Sequence, residues 1–263
     1  MEQKVMNKII FILAFLLTTT FSSCCQNFFG THTPPTEFTV KYGYLYNWYA
    51  DTDVREIAAI GWGVPTFEEH SILAEYLGAT LSGFYFFSPN TVGGQLKETG
   101  LTHWSTPNTG ATNSAGFNAR GSGYRETSGS FFLLKDGNTF FSSTEYDADQ
   151  AQGTNIRYNA DFAQTLQPFK KHGNPIRLLK TTTTLSDGET GTYTGNDGKI
   201  YSTICIGTQE WLADNLAETK FANLDWITGY DAGVYTPISD ANWAALTTEA
   251  MCAYDDDETN AIF

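Results

Sequence analysis

Positive charge is what this sequence has least of. Lys and Arg number 15 against 29 Asp and Glu in 263 residues, a formal net charge of −14 at pH 7. Nucleic acids and anionic membrane surfaces require clustered cations. Here only Lys170-Lys171 forms a basic pair, so neither partner is expected, and cations, neutral sugars and proteins remain. Histidine is scarce too. His32, His70, His103 and His172 show no ligand spacing among themselves or with a cysteine, so no metal centre is expected. No Ser/His/Asp or Cys/His arrangement appears. Asp53, Glu56, Glu68 and Glu145 are the carboxylates open to acid–base work, yet nothing in their spacing brings two of them together. The expectation is a protein without enzymatic activity and without a cofactor. Past Leu17 no apolar run approaches the ~20 residues of a membrane helix.

The cysteines are few and fall in two pairs. Cys24 and Cys25 close a leader in which Lys4 and Lys8 precede the apolar run Ile9–Leu17. That layout is a secretion signal over residues 1–23. Phe21-Ser22-Ser23-Cys24 resembles a bacterial lipobox, with Cys24 as the lipid-attachment residue and residues 24–41 as a tether. A multiply acylated cysteine anchors stably, unlike a single chain. The expected place is the cell envelope, at the outer membrane facing the periplasm or the exterior, with the lipid as the sole membrane contact. Cys205 and Cys252 remain in an oxidising compartment, as a disulfide candidate or as two buried thiols.

Sustained helical periodicity is nearly missing, so the chain reads as short strands, turns and loops. One helix is expected behind the capping box Thr66-Phe67-Glu68-Glu69, with Ile72, Leu73, Tyr76 and Leu77 as its apolar stripe and Gly78 as its stop. A second begins at Ser239 and carries Trp243 and Leu246. A weaker turn is expected over 210–216. Asp136-Gly137 predicts a hairpin between 131–134 and 139–142. The Thr/Gly-rich stretch 181–194 reads as a linker, and 199–206 as a strand with Ile200, Ile204 and Ile206 on one face.

Several blocks then line up in order: Tyr42-Gly43-Tyr44-Leu45-Tyr46-Asn47-Trp48-Tyr49-Ala50, Gly61-Trp62-Gly63-Val64-Pro65-Thr66, Gly94-Gln95-Leu96-Lys97, Asn108-Thr109-Gly110, Gly123-Tyr124-Arg125 and Ser142-Ser143-Thr144-Glu145. This order resembles the Fibrobacter succinogenes major paralogous domain family of bacterial surface and secreted proteins. Residues 195–263 resemble the opening part of the same family, in Asp197-Gly198-Lys199-Ile200-Tyr201, in 206–216 and in 252–257. The family's first portion therefore stands last in this chain. Three departures are visible: Gly63 stands where the family usually has His, Phe140-Phe141 replace a Trp-rich pair, and 175–179 lack the usual Cys.

The resemblance implies an α+β, C-type-lectin-like fold related to formylglycine-generating enzymes, with short twisted antiparallel strands, few helices, many loops and a possible circular permutation. Those relatives use a reactive cysteine pair late in the domain, and 42–180 contains no Cys. Residues 42–180 would be the main part of the domain. Residues 195–263 would complete it within the chain, complete a neighbouring molecule by self-association, or begin a second domain. The expected function is binding of a glycan or surface protein, with head-to-tail assembly and an unrecognised hydrolase as alternatives. The candidate binding surface is Trp104, Asn118, Arg120, Tyr124, Arg125 and Tyr146, since exposed aromatics stack on sugars and Arg or Asn reach hydroxyls. Asp255-Asp256-Asp257-Glu258 reads as a solvated acidic turn.

Overall fold

The strand Met251–Cys252, near the end of the chain, pairs antiparallel with Leu45–Tyr46 near its start. This pairing comes from a computed structural model that describes residues 40–82, 85–87 and 90–262. The leader, Cys24 and nearly all of the tether lie outside the described residues. Those that are described form one compact unit, mostly short strands with four short α-helices and two 3-10 turns among them. This agrees with the α+β, loop-rich expectation.

The largest sheet has five strands in the order Thr190–Thr194, Ile200–Ile206, Gln209–Leu212, Leu179–Lys180, Trp62–Gly63. Its middle joins the end of 42–180 to the tail, with Leu179 opposite both Trp211 and Gly63. A three-stranded sheet of Gly137–Glu145, Ala151–Arg157 and Ala163–Leu166 packs nearby, its long central pair broken by a register shift between Phe141 and Glu145.

The apolar core is built jointly by both stretches. One cluster joins Tyr44, Tyr46, Ile176 and Leu178 to Tyr193, Tyr201, Phe221 and Met251. A second joins Phe67, Trp104, Phe117 and Phe140 to Ile204, Ile206 and Trp211. A third sets Leu45 against Trp243, Ala250 and Cys252. Buried polar groups close the seam. Asn215 Nδ2 donates to the Tyr42 carbonyl at 2.7 Å, and Tyr44 OH to Glu258 at 2.6 Å. Arg177 is wholly enclosed and donates to Asn215 Oδ1 at 2.8 Å and to the Leu212 and Phe117 carbonyls at 2.8 and 2.6 Å. A buried guanidinium with each of its nitrogens bonded to oxygen, Nη2 to the Asn118 carbonyl at 3.1 Å, ties the two stretches together. Residues 195–262 thus pack against 42–180 of their own chain.

Local expectations hold in part. The helix is Phe67–Tyr76 with the full Thr66/Glu69 capping box, but its inner face is Phe67, His70, Leu73 and Ala74, while Ile72 and Tyr76 are exposed. The helix after Ser239 spans Asp240–Ala245 and buries Trp243. The expected turn over 210–216 is instead partly strand, Gln209–Leu212. Phe131–Leu134 does not form a hairpin with its successor: it pairs with Ser122–Arg125, and Gly137–Glu145 pairs onward with Ala151–Arg157. The linker expectation is corrected as well, since Thr190–Thr194 is a strand whose Tyr193 is buried. Its β-branched residues suit a pleated edge, and Tyr193 supplies the inward anchor.

Candidate functional site

The chain segment after the first block folds into an open, acidic cleft. Asn47 starts it: its side chain caps the short helix Trp48–Asp51, accepting from the Ala50 amide at 3.1 Å, and also accepts from the Ala250 amide at 3.0 Å. Trp48 Nε1 donates to the Ser142 carbonyl at 3.0 Å. These contacts fix Asp51 at the helix C-terminus, where the peptide dipoles add to the penalty on a negative charge. Asp51 is only 7 % exposed, and neither carboxyl oxygen has a hydrogen-bond partner. Burial holds its carboxyl well above the usual carboxylate range.

The next residues turn out and back. Asp53 grips Arg55 bidentately at 2.8 Å on both arms, which holds the Asp53 carboxyl below its ordinary range. Glu56 adopts a left-handed backbone, φ 58°, and is exposed. Ile57 and Ala58 dive into the first core cluster, and the Ala59 amide donates to Tyr193 OH at 3.0 Å. The strand Trp62–Gly63 then returns as the sheet edge, with the Trp62 ring 5.0 Å from that of Tyr193.

Between these arms lies a cleft of about 210 Å³ walled by Asp51, Asp53, Glu56, Trp62, Gly63 and Val64 among others, with no Lys, Arg or His in the wall. Two exposed aliphatics, Val54 and Ile60, stand in the loop between its arms. Gly63, where the family resemblance expected His, leaves open space: a Cβ there would meet nothing within 4 Å. A second cavity, among the residues of the second cluster beside His70, Thr154, Arg177 and Trp211, is about 20 Å³. That is room for a water and little more.

The six residues expected from the sequence do not form a binding surface. Trp104 is 1 % exposed and donates Nε1 to the Ala119 carbonyl at 2.9 Å. Arg125 is fully enclosed, stacked between Phe131 and Trp243 with its guanidinium 4.7 and 4.6 Å from their ring centres. Arg120 is committed to Glu98 at 3.1 Å, to Asp214 at 3.4 Å and to the Val40 carbonyl. Asn118, in a left-handed turn, gives its carbonyl to Arg177. Tyr124 is half-buried beside Phe132 and His172. Tyr146 alone is well exposed. Trp104, Arg120 and Arg125 are committed to holding loops together.

The disulfide candidate is also corrected: Cys205 and Cys252 are both free and buried. Cys205 sits at the end of a five-stranded-sheet strand, against the Leu185 and Gly207 carbonyls, whereas Cys252 lies in the third cluster with Trp243. Among the described residues no group of three or more His, Cys, Asp or Glu is disposed to hold a metal. The acidic turn is structural in part: Asp256 accepts from Arg125 and Tyr235, and Asp257 caps Thr259. His70 is enclosed against Thr154, and His172 among aromatics, and burial pushes both down to about 4.

A family model described as the Fibrobacter succinogenes major domain matches residues 26–180. The chain belongs to that family. The match spans the whole cleft and ends at Lys180, on the strand that pairs with Trp62–Gly63. No curated protein and no solved structure matches the chain. Within the family's blocks, Asp51 directly follows Tyr42–Ala50, and Trp62 lies in the next block. The sequence carries little local signal for Asp51, only a carboxylate at the end of an Asn-capped turn.

Proposed function

We propose that this is a non-enzymatic, lipid-anchored cell-envelope protein whose lectin-like domain binds a glycan in the cleft between Asp51 and Val64. The observation that carries the reading is a cleft whose wall holds both an aromatic residue, Trp62, and Asp51, whose buried carboxyl no protein group satisfies. A sugar ring offers an apolar face to an indole and hydroxyls to a carboxyl. An unsatisfied buried polar group costs stability, about 1–3 kcal/mol, and such sites are candidates for function. The lipobox-like Cys24 supports the anchored location.

The reading of the domain as a permuted lectin-like unit rests on the tail. Residues 195–262, which resemble the family's opening, pack beside Tyr42–Tyr46, and the Lys41 amide donates to the Ala261 carbonyl at 2.9 Å. Domain ends that lie close together make permutation cheap. Head-to-tail fibre assembly is the weaker alternative, because the tail already occupies its own core.

A glycan array probed with the protein tests the binding, and a Trp62→Ala variant should lose the signal. A blank array would refute glycan recognition. Hydrolysis of a bound glycan that disappears in Asp51→Asn would overturn the non-enzymatic assignment. Light scattering after size exclusion should give the monomer mass.

A further inference from the structure

Resting on the reading of the cleft as a glycan site, we propose that the group it recognises is a primary ammonium. The ammonium would belong to a de-N-acetylated amino sugar and be seated against the Asp51 carboxyl. Three observations converge. The cleft wall contains three carboxylates and no basic residue. Asp51 belongs to that wall, is more than nine-tenths buried and has no partner on either oxygen. Because both oxygens are closed off from solvent, a ligand reaches them only by a shift of the wall. The third is that Trp62 belongs to the same wall, since indole faces attract cations.

The cations nearby do not answer Asp51, because each is committed elsewhere. Arg55 holds Asp53 and, at 3.0 Å, Glu249, with its guanidinium over the Phe221 ring. Lys180 bonds Glu210 at 2.9 Å with its Nζ 5.5 Å from the Trp62 centroid. Lys170, over Trp48, pairs with Glu145 at 3.1 Å. Glu56 is exposed. A neutral hydroxyl can hydrogen-bond the protonated Asp51, but only an incoming cation makes its ionised form favourable in a buried place. Seating R–NH₃⁺ therefore expels the Asp51 proton to solvent and leaves a carboxylate–ammonium pair.

The test is calorimetric titration of the full chain in detergent with three probes: a glucosamine oligosaccharide, its N-acetylated counterpart, and Nα-acetyl-lysine amide. The glucosamine oligomer should bind about ten-fold or more tightly than the N-acetylated one. Its heat should vary with the buffer's ionisation enthalpy in the sense of proton release. Asp51→Asn should lose that binding and the proton release while melting as a folded protein. Gly63→His, which fills the open side of the cleft, should weaken the same titration and carries the test if the first variant misfolds. Equal or tighter binding of the N-acetylated oligomer overturns the ammonium inference and leaves glycan recognition standing. Binding of the lysine amide alone overturns the sugar assignment along with the glycan reading. No binding by any probe, or binding unchanged in Asp51→Asn, overturns the seat itself.

Discussion

Replacing Arg125 by Met should loosen the tail from the body by an amount that can be worked from its contacts. Met keeps most of the apolar stem between Phe131 and Trp243 and removes every donor. Arg125 donates Nε to the Gly129 carbonyl at 2.8 Å and Nη2 to the Ile238 carbonyl at 2.7 Å. It also pairs with Asp256 at 3.2 Å and Asp240 at 3.1 Å. Asp240 is 65 % exposed, so that pair contributes under about 1 kcal/mol. The two carbonyls and Asp256, only 26 % exposed, lose a charged donor each, about 1.5 kcal/mol apiece at the low end of the range for charged hydrogen bonds. With the Asp240 pair the total is about 5 kcal/mol, a large part of a typical 5–15 kcal/mol margin. At roughly 3 kcal/mol/M the urea midpoint falls by about 1.5 M. Asp240→Asn, the control, should cost less than about 1 kcal/mol. A midpoint for Arg125→Met within experimental error of the parent would refute the view that this guanidinium binds the tail to the body.

Three further outcomes follow from the same contacts. His70 is buried and neutral with its protonation pushed down to about 4, against about 6.5 in an unfolded chain. Its contribution is complete above pH 6.5 and is lost as pH falls toward 4, about 3 kcal/mol in all, and His70→Gln should flatten urea midpoints measured across that window. Asp51 runs the other way. Its raised folded value makes stability decline as pH rises above the ordinary carboxylate range, so Asp51→Asn should be about 1–3 kcal/mol more stable than the parent at pH 8 by thermal melting, and equal melting would count against an unpaired buried carboxyl. Gly63→His should leave the melting temperature within a few degrees, since nothing stands in the way of a side chain there; a large drop would mean the cleft is not open.

Local chemistry was readable where it decided the structure by itself. The Thr66-to-Glu69 capping box predicted its helix start, and Ser239 predicted the cap above Trp243. Where tertiary pairing decided, the sequence misled. Asp136-Gly137 looks like a hairpin turn, but the Lys135 amide donates to the Gly121 carbonyl at 2.6 Å, and the preceding strand goes to Ser122–Arg125. Thr190–Thr194 looks like a spacer because its single large apolar residue, Tyr193, is the inward anchor of an edge strand. Trp104 and Arg125 looked like ligand contacts because composition does not distinguish an aromatic or guanidinium that meets solvent from one that closes a seam. Asp51 was missed for the opposite reason: nothing in one carboxylate's sequence neighbourhood says that it will be buried without a partner. The joint core of body and tail was legible only through the order of the family's blocks.

The most direct test of the cleft is the titration of Asp51 itself, followed by the side-chain carboxyl carbon in an isotope-labelled protein. A midpoint well above the usual carboxylate range is predicted for the free protein. A midpoint near the ordinary value of about 3.9 would contradict a buried, unanswered carboxyl and remove the ground on which the ligand site stands.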